Sequence, residues 1–245
     1  MLHNQNMDKL TQMKMTGFVD GLKEQLHNPD YQDLTFEERI GLLVDREYLY
    51  RQEKKVTSRL REAKFRFKAT VEEVDFHAPR GLKKSQFMEY ACGNWIRQHH
   101  NLLITGPTGA GKTYLACALA NKACHEDFRA LFYPFSDLIR DLGIARVDGS
   151  YHKFSSMIAK RDILVIDDWL RDSLAPDQSR YLLDLVDARF RTKSTLITTQ
   201  LPVGDWHSHF KDPTIADAIL DRLVHDSYRI ELKGGSMRKK TANLT

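Results

Sequence analysis

The sequence predicts an α/β fold in which a parallel sheet is flanked by helices and preceded by a small all-helical N-terminal domain. A glycine-rich loop separates a short aliphatic run at 102–104 from a helical pattern at 114–125. A second aliphatic run, at 163–166, ends in two carboxylates, and a further predicted strand, at 195–200, ends in polar residues. Continuous aliphatic runs are typical of parallel strands that are buried on both faces. Such sheets bind ligands at the carboxyl ends of their strands.

The first 68 residues show no strand-like alternation and are predicted to be helical. Apolar residues recur with helical spacing over 7–26, a pattern that Gly17 and Gly21 interrupt. A long helix is predicted to begin after Thr35, because Glu38 three residues later completes a capping box. Residues 69–80 have the composition of a linker. We therefore predict a boundary near 69, with a helical domain at 1–68 and an α/β domain at 69–245.

The end of the long helix is strongly basic. Residues 51–68 contain eight Lys or Arg and two Glu, a net charge of +6. This pattern is explained either by a solvated helix face or by a surface that contacts nucleic-acid phosphates. A predicted helical stretch at 136–160 adds further basic residues. The candidate DNA contacts are Lys54, Lys55, Arg59, Lys153, Lys160 and Arg161.

The glycine-rich loop matches the phosphate-binding pattern G-x-x-x-x-G-K-[ST] at every fixed position. In such a P-loop the backbone N–H groups point at phosphate oxygens, at the positive end of the following helix. Lys112 is expected to reach the β- and γ-phosphates of ATP, and Thr113 to hold Mg²⁺. The predicted nucleotide contacts are Gly106, Pro107, Thr108, Gly109, Ala110, Gly111, Lys112 and Thr113.

The carboxylates at 167 and 168 are typical of a Walker B strand. Asp167 is predicted to complete the Mg²⁺ site, and Asp168 to polarise the attacking water. The alternative is that both acids cap the segment that follows. The sequence between Lys112 and Asp167 is long enough for one intervening strand unit. This spacing is typical of P-loop ATPases in which a further strand separates the two motifs.

Two further residues are candidates for ATP hydrolysis. Gln200, or Thr199 beside it, ends a strand where a side chain can orient the water; a plain strand-end turn is the alternative. Arg222 lies on a predicted helix and is either an arginine finger that enters a neighbour's site or a surface ion pair with Asp221 or Asp226.

Composition excludes several classes of protein. Aliphatic runs are four residues or fewer, and the N-terminus lacks the pattern of a signal peptide, so we expect a cytoplasmic protein with no membrane contact. The P-loop is not that of a GTPase, because the Asn-Lys at 121–122 is not followed by the Asp of N-K-x-D. Cys92, Cys117 and Cys124 are predicted to be reduced packing residues.

The order of GPTGAGKT, ILVIDDW, LITTQLPVGDW, ILDRL and GGSMRK, preceded by LLVDREYLYRQEKKVTSRLREAKF, resembles the IstB family. This family comprises AAA+ helper ATPases of bacterial insertion sequences. The sequence is also similar to DnaC helicase loaders and, more distantly, to DnaA initiators. The resemblance covers nearly the whole chain. It implies an ATP- and Mg²⁺-dependent oligomer that binds double-stranded DNA with little sequence preference and stimulates a partner transposase.

By the same resemblance Lys112, Asp167, Asp168, Gln200 and Arg222 are catalytic, and Arg238 is a possible second sensor for the nucleotide. Two features depart from the wider AAA+ pattern. Asp168 stands where a glutamate is usual, and only 45 residues follow Gln200, so we expect a truncated lid. We keep two hypotheses: a DNA-remodelling ATPase whose turnover is the output, and a DnaC-like loader that acts as an ATP-switched scaffold.

Overall fold

The computed structural model describes residues 2–237, with side chains from residue 5 onward. The chain forms two compact units, 1–58 and 59–245. The division lies inside helix α3 (Phe36–Ala63), earlier than the predicted boundary near 69. The last turn of α3 belongs to the second unit because Ala63 is fully buried in its core.

The first unit contains α1 (Leu2–Gln12), α2 (Thr16–His27), a 3₁₀ turn (Pro29–Tyr31) and most of α3. The expected capping box is present, with the Thr35 N–H donating to Glu38 Oε2 at 2.8 Å. The break between α1 and α2 falls at Lys14, whose φ is 58°, and not at the two glycines.

Gly17 and Gly21 instead lie within α2 and allow it to pack closely on α3. A Cβ at Gly17 would come within 2.8 Å of the carbonyl oxygen of Arg46 and of Tyr50 Cβ. One at Gly21 would come within 2.9 Å of Leu43. These glycines mark a close helix approach and not a helix end.

The second unit is built on five parallel strands in the order β2-β3-β4-β1-β5. The strands are β1 (Asn101–Thr105), β2 (Ala130–Pro134), β3 (Ile163–Asp167), β4 (Ser194–Thr199) and β5 (Ser227–Glu231). The helices are α4 (Lys84–Ala91), α5 (Asn94–Arg97), α6 (Lys112–His125), α7 (Phe135–Val147), α8 (Tyr151–Ala159), α9 (Pro176–Arg189) and α10 (Pro213–Val224), with a 3₁₀ segment at Val203–His209.

Both faces of the sheet are covered, as the aliphatic runs predict. Leu102 and Ile104 pack into one core with α6, whereas Leu103 packs into the other core with α7, α9 and α10. This alternation along β1 follows from the two-residue period of a strand. The strand unit predicted between Lys112 and Asp167 in sequence is β2, which lies at the edge of the sheet beside β3. The strand that separates the two motifs in the sheet is β4, which pairs with β1 on one side and β3 on the other.

The stretch predicted as helical at 136–160 is divided into α7 and α8, because the chain turns at Gly149 with a φ of 77°. Among residues 201–237, α10 is the one α-helix, which agrees with the expected truncated lid. No helix in residues 2–237 combines the length and apolar character that a bilayer span requires.

Candidate nucleotide-binding site

The P-loop connects β1 to α6 and curls around the Lys112 ammonium. Gly106, Gly109 and Gly111 have φ values of 146°, 82° and 93°, which residues with a Cβ rarely adopt. Lys112 is buried, and its Nζ donates to the carbonyl oxygens of Gly106 at 2.8 Å and Pro107 at 3.0 Å. The loop therefore holds a cation at the N-terminus of α6, as a phosphate-binding loop does.

Two other segments hold the P-loop in shape. On one side, the Met237 N–H donates to the Gly109 carbonyl at 2.8 Å, and a Cβ at Gly109 would overlap Ser236. On the other side, Arg80 Nη1 donates to the Ala110 carbonyl at 3.0 Å. Arg80 is buried, and this burial lowers the pKa of its guanidinium.

Thr113 and Asp167 form the candidate Mg²⁺ site. Asp167 is fully buried, and its Oδ1 accepts hydrogen bonds from Thr113 Oγ1 at 2.7 Å and Thr198 Oγ1 at 2.5 Å. Its Oδ2 is buried without a hydrogen-bond partner among the described residues. A hydroxyl and a carboxylate are suitable ligands for Mg²⁺, which takes its other ligands from phosphates and water. No group of three His, Cys, Asp or Glu forms a metal site within residues 2–237.

Asp168 follows the strand in a left-handed backbone conformation, with a φ of 55°. Its N–H donates to Thr198 Oγ1 at 3.2 Å, so the same threonine contacts both acids. Aspartate tolerates this conformation better than most residues. The turn directs the chain out of β3 and leaves the Asp168 side chain only partly buried.

Of the two candidates at the end of β4, Gln200 is the one that contacts the P-loop. Its Oε1 accepts a hydrogen bond from Thr108 Oγ1 at 2.6 Å, and the residue is exposed. Thr199 is fully buried and donates to the Trp169 carbonyl at 2.9 Å. Sequence reasoning missed Thr198. The two-residue period of β4 was the available signal, because it places Thr198 and Gln200 on one face.

Arg222 lies at the opposite edge of the sheet from the P-loop. Its carbonyl accepts from Asn101 Nδ2 at 3.0 Å, at the amino end of β1. Its guanidinium forms an ion pair with Asp187 and donates to the Ala218 carbonyl at 2.8 Å. The ion-pair partner is thus Asp187 and not Asp221 or Asp226. Arg222 also lines a cleft of about 350 Å³ at this edge.

The side chains of the candidate DNA contacts differ in their exposure to solvent. Lys54, Lys55, Lys153 and Lys160 are exposed. Arg59 is paired with Asp127 at 2.7 Å, and Arg161 with Glu62 at 2.8 Å. Their side chains are only 16% and 19% exposed, so the structure does not favour these two arginines as DNA contacts. Arg238 lies outside the described residues.

Arg66, one of the eight basic residues of 51–68, also reaches this site. Its Nη1 lies 3.5 Å from Oδ2 of Asp167. The charge run offered no signal that separates Arg66 from its basic neighbours. Its position depends on where α3 ends.

The placement of β4 between the P-loop strand and the acidic strand is the arrangement of AAA+ ATPases, and the protein is an ATPase of this class. A family model described as "IstB-like ATP binding protein" matches residues 8–245. The chain therefore belongs to the IstB-like family. Its sequence is 41% identical over 239 residues to the insertion sequence ATP-binding protein y4pL of Sinorhizobium fredii, covering 98% of each chain.

Two solved structures share the fold at low sequence identity. The DnaC helicase loader superposes with a TM-score of 0.58 and 20% identity, over 70% of this chain and 100% of that one. The replication initiator DnaA, bound to AMPPCP and single-stranded DNA, gives a TM-score of 0.58 and 16% identity, over 70% of this chain and 52% of that one.

Proposed function

We propose that the protein is an ATP-dependent, DNA-binding helper ATPase for transposition that assembles on duplex target DNA and stimulates a cognate transposase. The observation that carries the proposal is the site formed by Lys112, Thr113 and Asp167 in a chain of the IstB-like family. The name of the relative y4pL places that protein in an insertion sequence. A mobile element of this kind encodes a transposase and must engage target DNA to move.

ATP is proposed to bind with its phosphates against the P-loop N–H groups. Lys112 then exchanges the carbonyls of Gly106 and Pro107 for phosphate oxygens. Mg²⁺, held by Thr113 and Asp167, neutralises charge on the phosphates when bound. Asp168 accepts the proton of the attacking water, and the Gln200 amide orients that water. The buried Thr198 fixes the positions of both acids.

Arg222 is proposed to act on the site of a neighbouring subunit. It lies at the amino edge of the sheet, whereas Lys112 and Asp167 lie at the carboxyl edge, so it does not serve its own site. An arginine finger supplied by a second copy stabilises charge in the transition state. Hydrolysis would then require a homo-oligomer, and ATP binding would be coupled to assembly.

DNA binding is assigned to the exposed lysines Lys54 and Lys55 of the first unit and Lys153 and Lys160 of the second. Contacts of this kind are made to phosphates, so they are independent of sequence and weaken steeply with salt. The double reversal of Lys54 and Lys55 to Glu is expected to lower DNA affinity and leave ATP affinity unchanged. Reversal of Lys9 and Lys23, which are also exposed in the first unit, is the matched control.

The deciding experiment measures the mass of the assembly on duplex and on single-stranded DNA, with ADP and with a non-hydrolysable ATP analogue. Large ATP-dependent assemblies on duplex DNA are expected. Assembly that requires single strands or a helicase would favour the loader, the alternative function. A monomer under every condition would contradict both, along with the role of Arg222.

Asp168→Asn separates the two modes of action. A helper that works by turnover loses transposase stimulation in this variant while it still assembles on DNA. If the variant assembles and stimulates the transposase normally, ATP binding alone is the output, and the protein acts as a switched scaffold.

A further inference from the structure

The unpartnered oxygen of Asp167 faces a positive charge from outside the P-loop motif. Asp167 Oδ2 has no hydrogen-bond partner among the described residues, and the carboxylate side chain is 1% exposed. The Arg66 guanidinium lies 3.5 Å from this oxygen, with 52% of its side chain exposed. Burial of a carboxylate is unfavourable unless a cation lies nearby, and the Arg66 guanidinium supplies that cation.

The backbone around Arg66 is anchored on the P-loop helix. Helix α3 ends at Ala63, and the chain turns at Lys64 with a φ of 54°. The Phe67 ring then packs against Tyr114 of α6, with the ring centroids 6.4 Å apart. Phe65, the residue before Arg66, packs against the core cluster to which α6 contributes Leu115 and Cys117. The arginine therefore reaches the site from a segment fixed to α6.

We propose that Arg66 and the divalent cation of the nucleotide site compete for Asp167 Oδ2, so that Arg66 sets the Mg²⁺ concentration at which nucleotide binds. The inference rests on the proposed ATP site. A guanidinium and a metal ion bound at Asp167 would both interact with the lone pairs of Oδ2. Repulsion between their positive charges opposes binding of both at once. Because the Arg66 side chain is half exposed, it can swing into solvent when the metal binds.

Arg66 is by this account a positioning residue and not a ligand of the phosphates. Removing its charge leaves Oδ2 available to the cation. Keeping a charge at this position, as lysine does, preserves the competition. The neighbouring Lys68 is also exposed and basic but has no contact with Asp167, which makes it a matched control.

The test is a Mg²⁺ titration of fluorescent ATP-analogue binding to the full chain. In Arg66→Gln and Arg66→Met, the half-saturating Mg²⁺ concentration is expected to fall by up to about fivefold, the equivalent of losing one partly exposed ion pair. Arg66→Lys and Lys68→Gln are expected to stay near wild type. Thermal unfolding in EDTA without nucleotide checks that each variant is folded.

An unchanged or higher half-saturating Mg²⁺ concentration in Arg66→Gln, with nucleotide binding intact, would overturn the inference and leave the proposed function standing. The same shift in Lys68→Gln would also overturn it, because the effect would then be general electrostatics. Absence of nucleotide binding by the wild-type chain would instead contradict the proposed function itself. Lys112→Ala provides the signal expected when the site is lost.

Discussion

Thr108 Oγ1 donates a hydrogen bond of 2.6 Å to Gln200 Oε1 and so joins the P-loop to the end of β4. The two residues follow strands β1 and β4, which are neighbours in the sheet. The side-chain oxygen of Gln200 accepts the hydrogen bond from Thr108. Its side-chain nitrogen, Nε2, is therefore available to donate to a water at the mouth of the loop. We therefore expect Gln200 to respond to what the P-loop holds.

Gln200→Leu is therefore expected to lower kcat for ATP hydrolysis by roughly a hundredfold, the size of effect seen when one polar group that acts in the transition state is lost. Nucleotide affinity should stay near wild type, because the P-loop is unchanged. Steady-state hydrolysis and equilibrium binding measure the two effects. Gln32→Leu, at an exposed position of the first unit, is the control; equal losses in both variants would contradict the role of Gln200.

Thr198→Val is expected to destabilise the fold by about 1–3 kcal/mol, since it leaves a buried carboxylate oxygen and the Asp168 N–H without their shared partner. Chemical denaturation measures the change. The exposed Thr192→Val should remain within about 0.5 kcal/mol of wild type. A Thr198→Val protein as stable as wild type would show that the hydroxyl does not support the two acids.

Arg222→Ala is expected to lower hydrolysis by the assembled protein by about a thousandfold, the effect of losing an arginine finger. Mixing it with Asp168→Asn should restore activity, because the second variant supplies an intact Arg222 to the first variant's site. Asp187→Asn removes the ion-pair partner and keeps the arginine, so it should remain active. Failure of the mixed assembly to recover would exclude action between subunits.

The three cysteines differ in exposure, which makes them a probe of the folded state. Cys92 is exposed, so its prediction as a packing residue was wrong, whereas Cys117 and Cys124 are buried as predicted. One thiol should react quickly with a disulfide reagent in the native protein and three in denaturant. Rapid reaction of all three without denaturant would contradict this burial.

Burial raises the pKa of the Cys117 thiol to about 11 from its ordinary value of 9.0. Between these values the unfolded chain loses this proton and the folded chain keeps it, so the free energy of unfolding falls as pH rises through this window. The loss from this thiol is at most about 3 kcal/mol. Cys117→Ala should show a smaller alkaline loss in the same denaturation series.

The parts of the fold that depend on local chemistry could be predicted from the sequence. The P-loop and the acidic strand are contiguous motifs, and the buried strands are continuous aliphatic runs. The break between α1 and α2 could not be predicted, because Lys14 adopts a positive φ while Gly17 and Gly21 serve close packing against α3. That role depends on a contact between helices distant in sequence.

The same limit applies to the site. Lys112, Thr113 and Asp167 carry motif signals, and the structure brings Asp167 to the start of α6, where Lys112 and Thr113 lie. Arg66 carries none, because eight basic residues share its stretch and only the tertiary fold directs one of them to Asp167. Arg59 shows the reverse case. Its charge predicted a DNA contact, but its largely buried side chain forms an ion pair with Asp127.

The P-loop is held on one side by Arg80 and on the other by Met237, two residues separated by most of the second unit. A fragment of residues 102–125 would contain the whole phosphate-binding motif and lack both of these supports. Transplanting the motif into another scaffold would accordingly transfer its residues without the restraint on its shape. The shape of the P-loop thus depends on two segments outside the motif, and an engineered version must carry both.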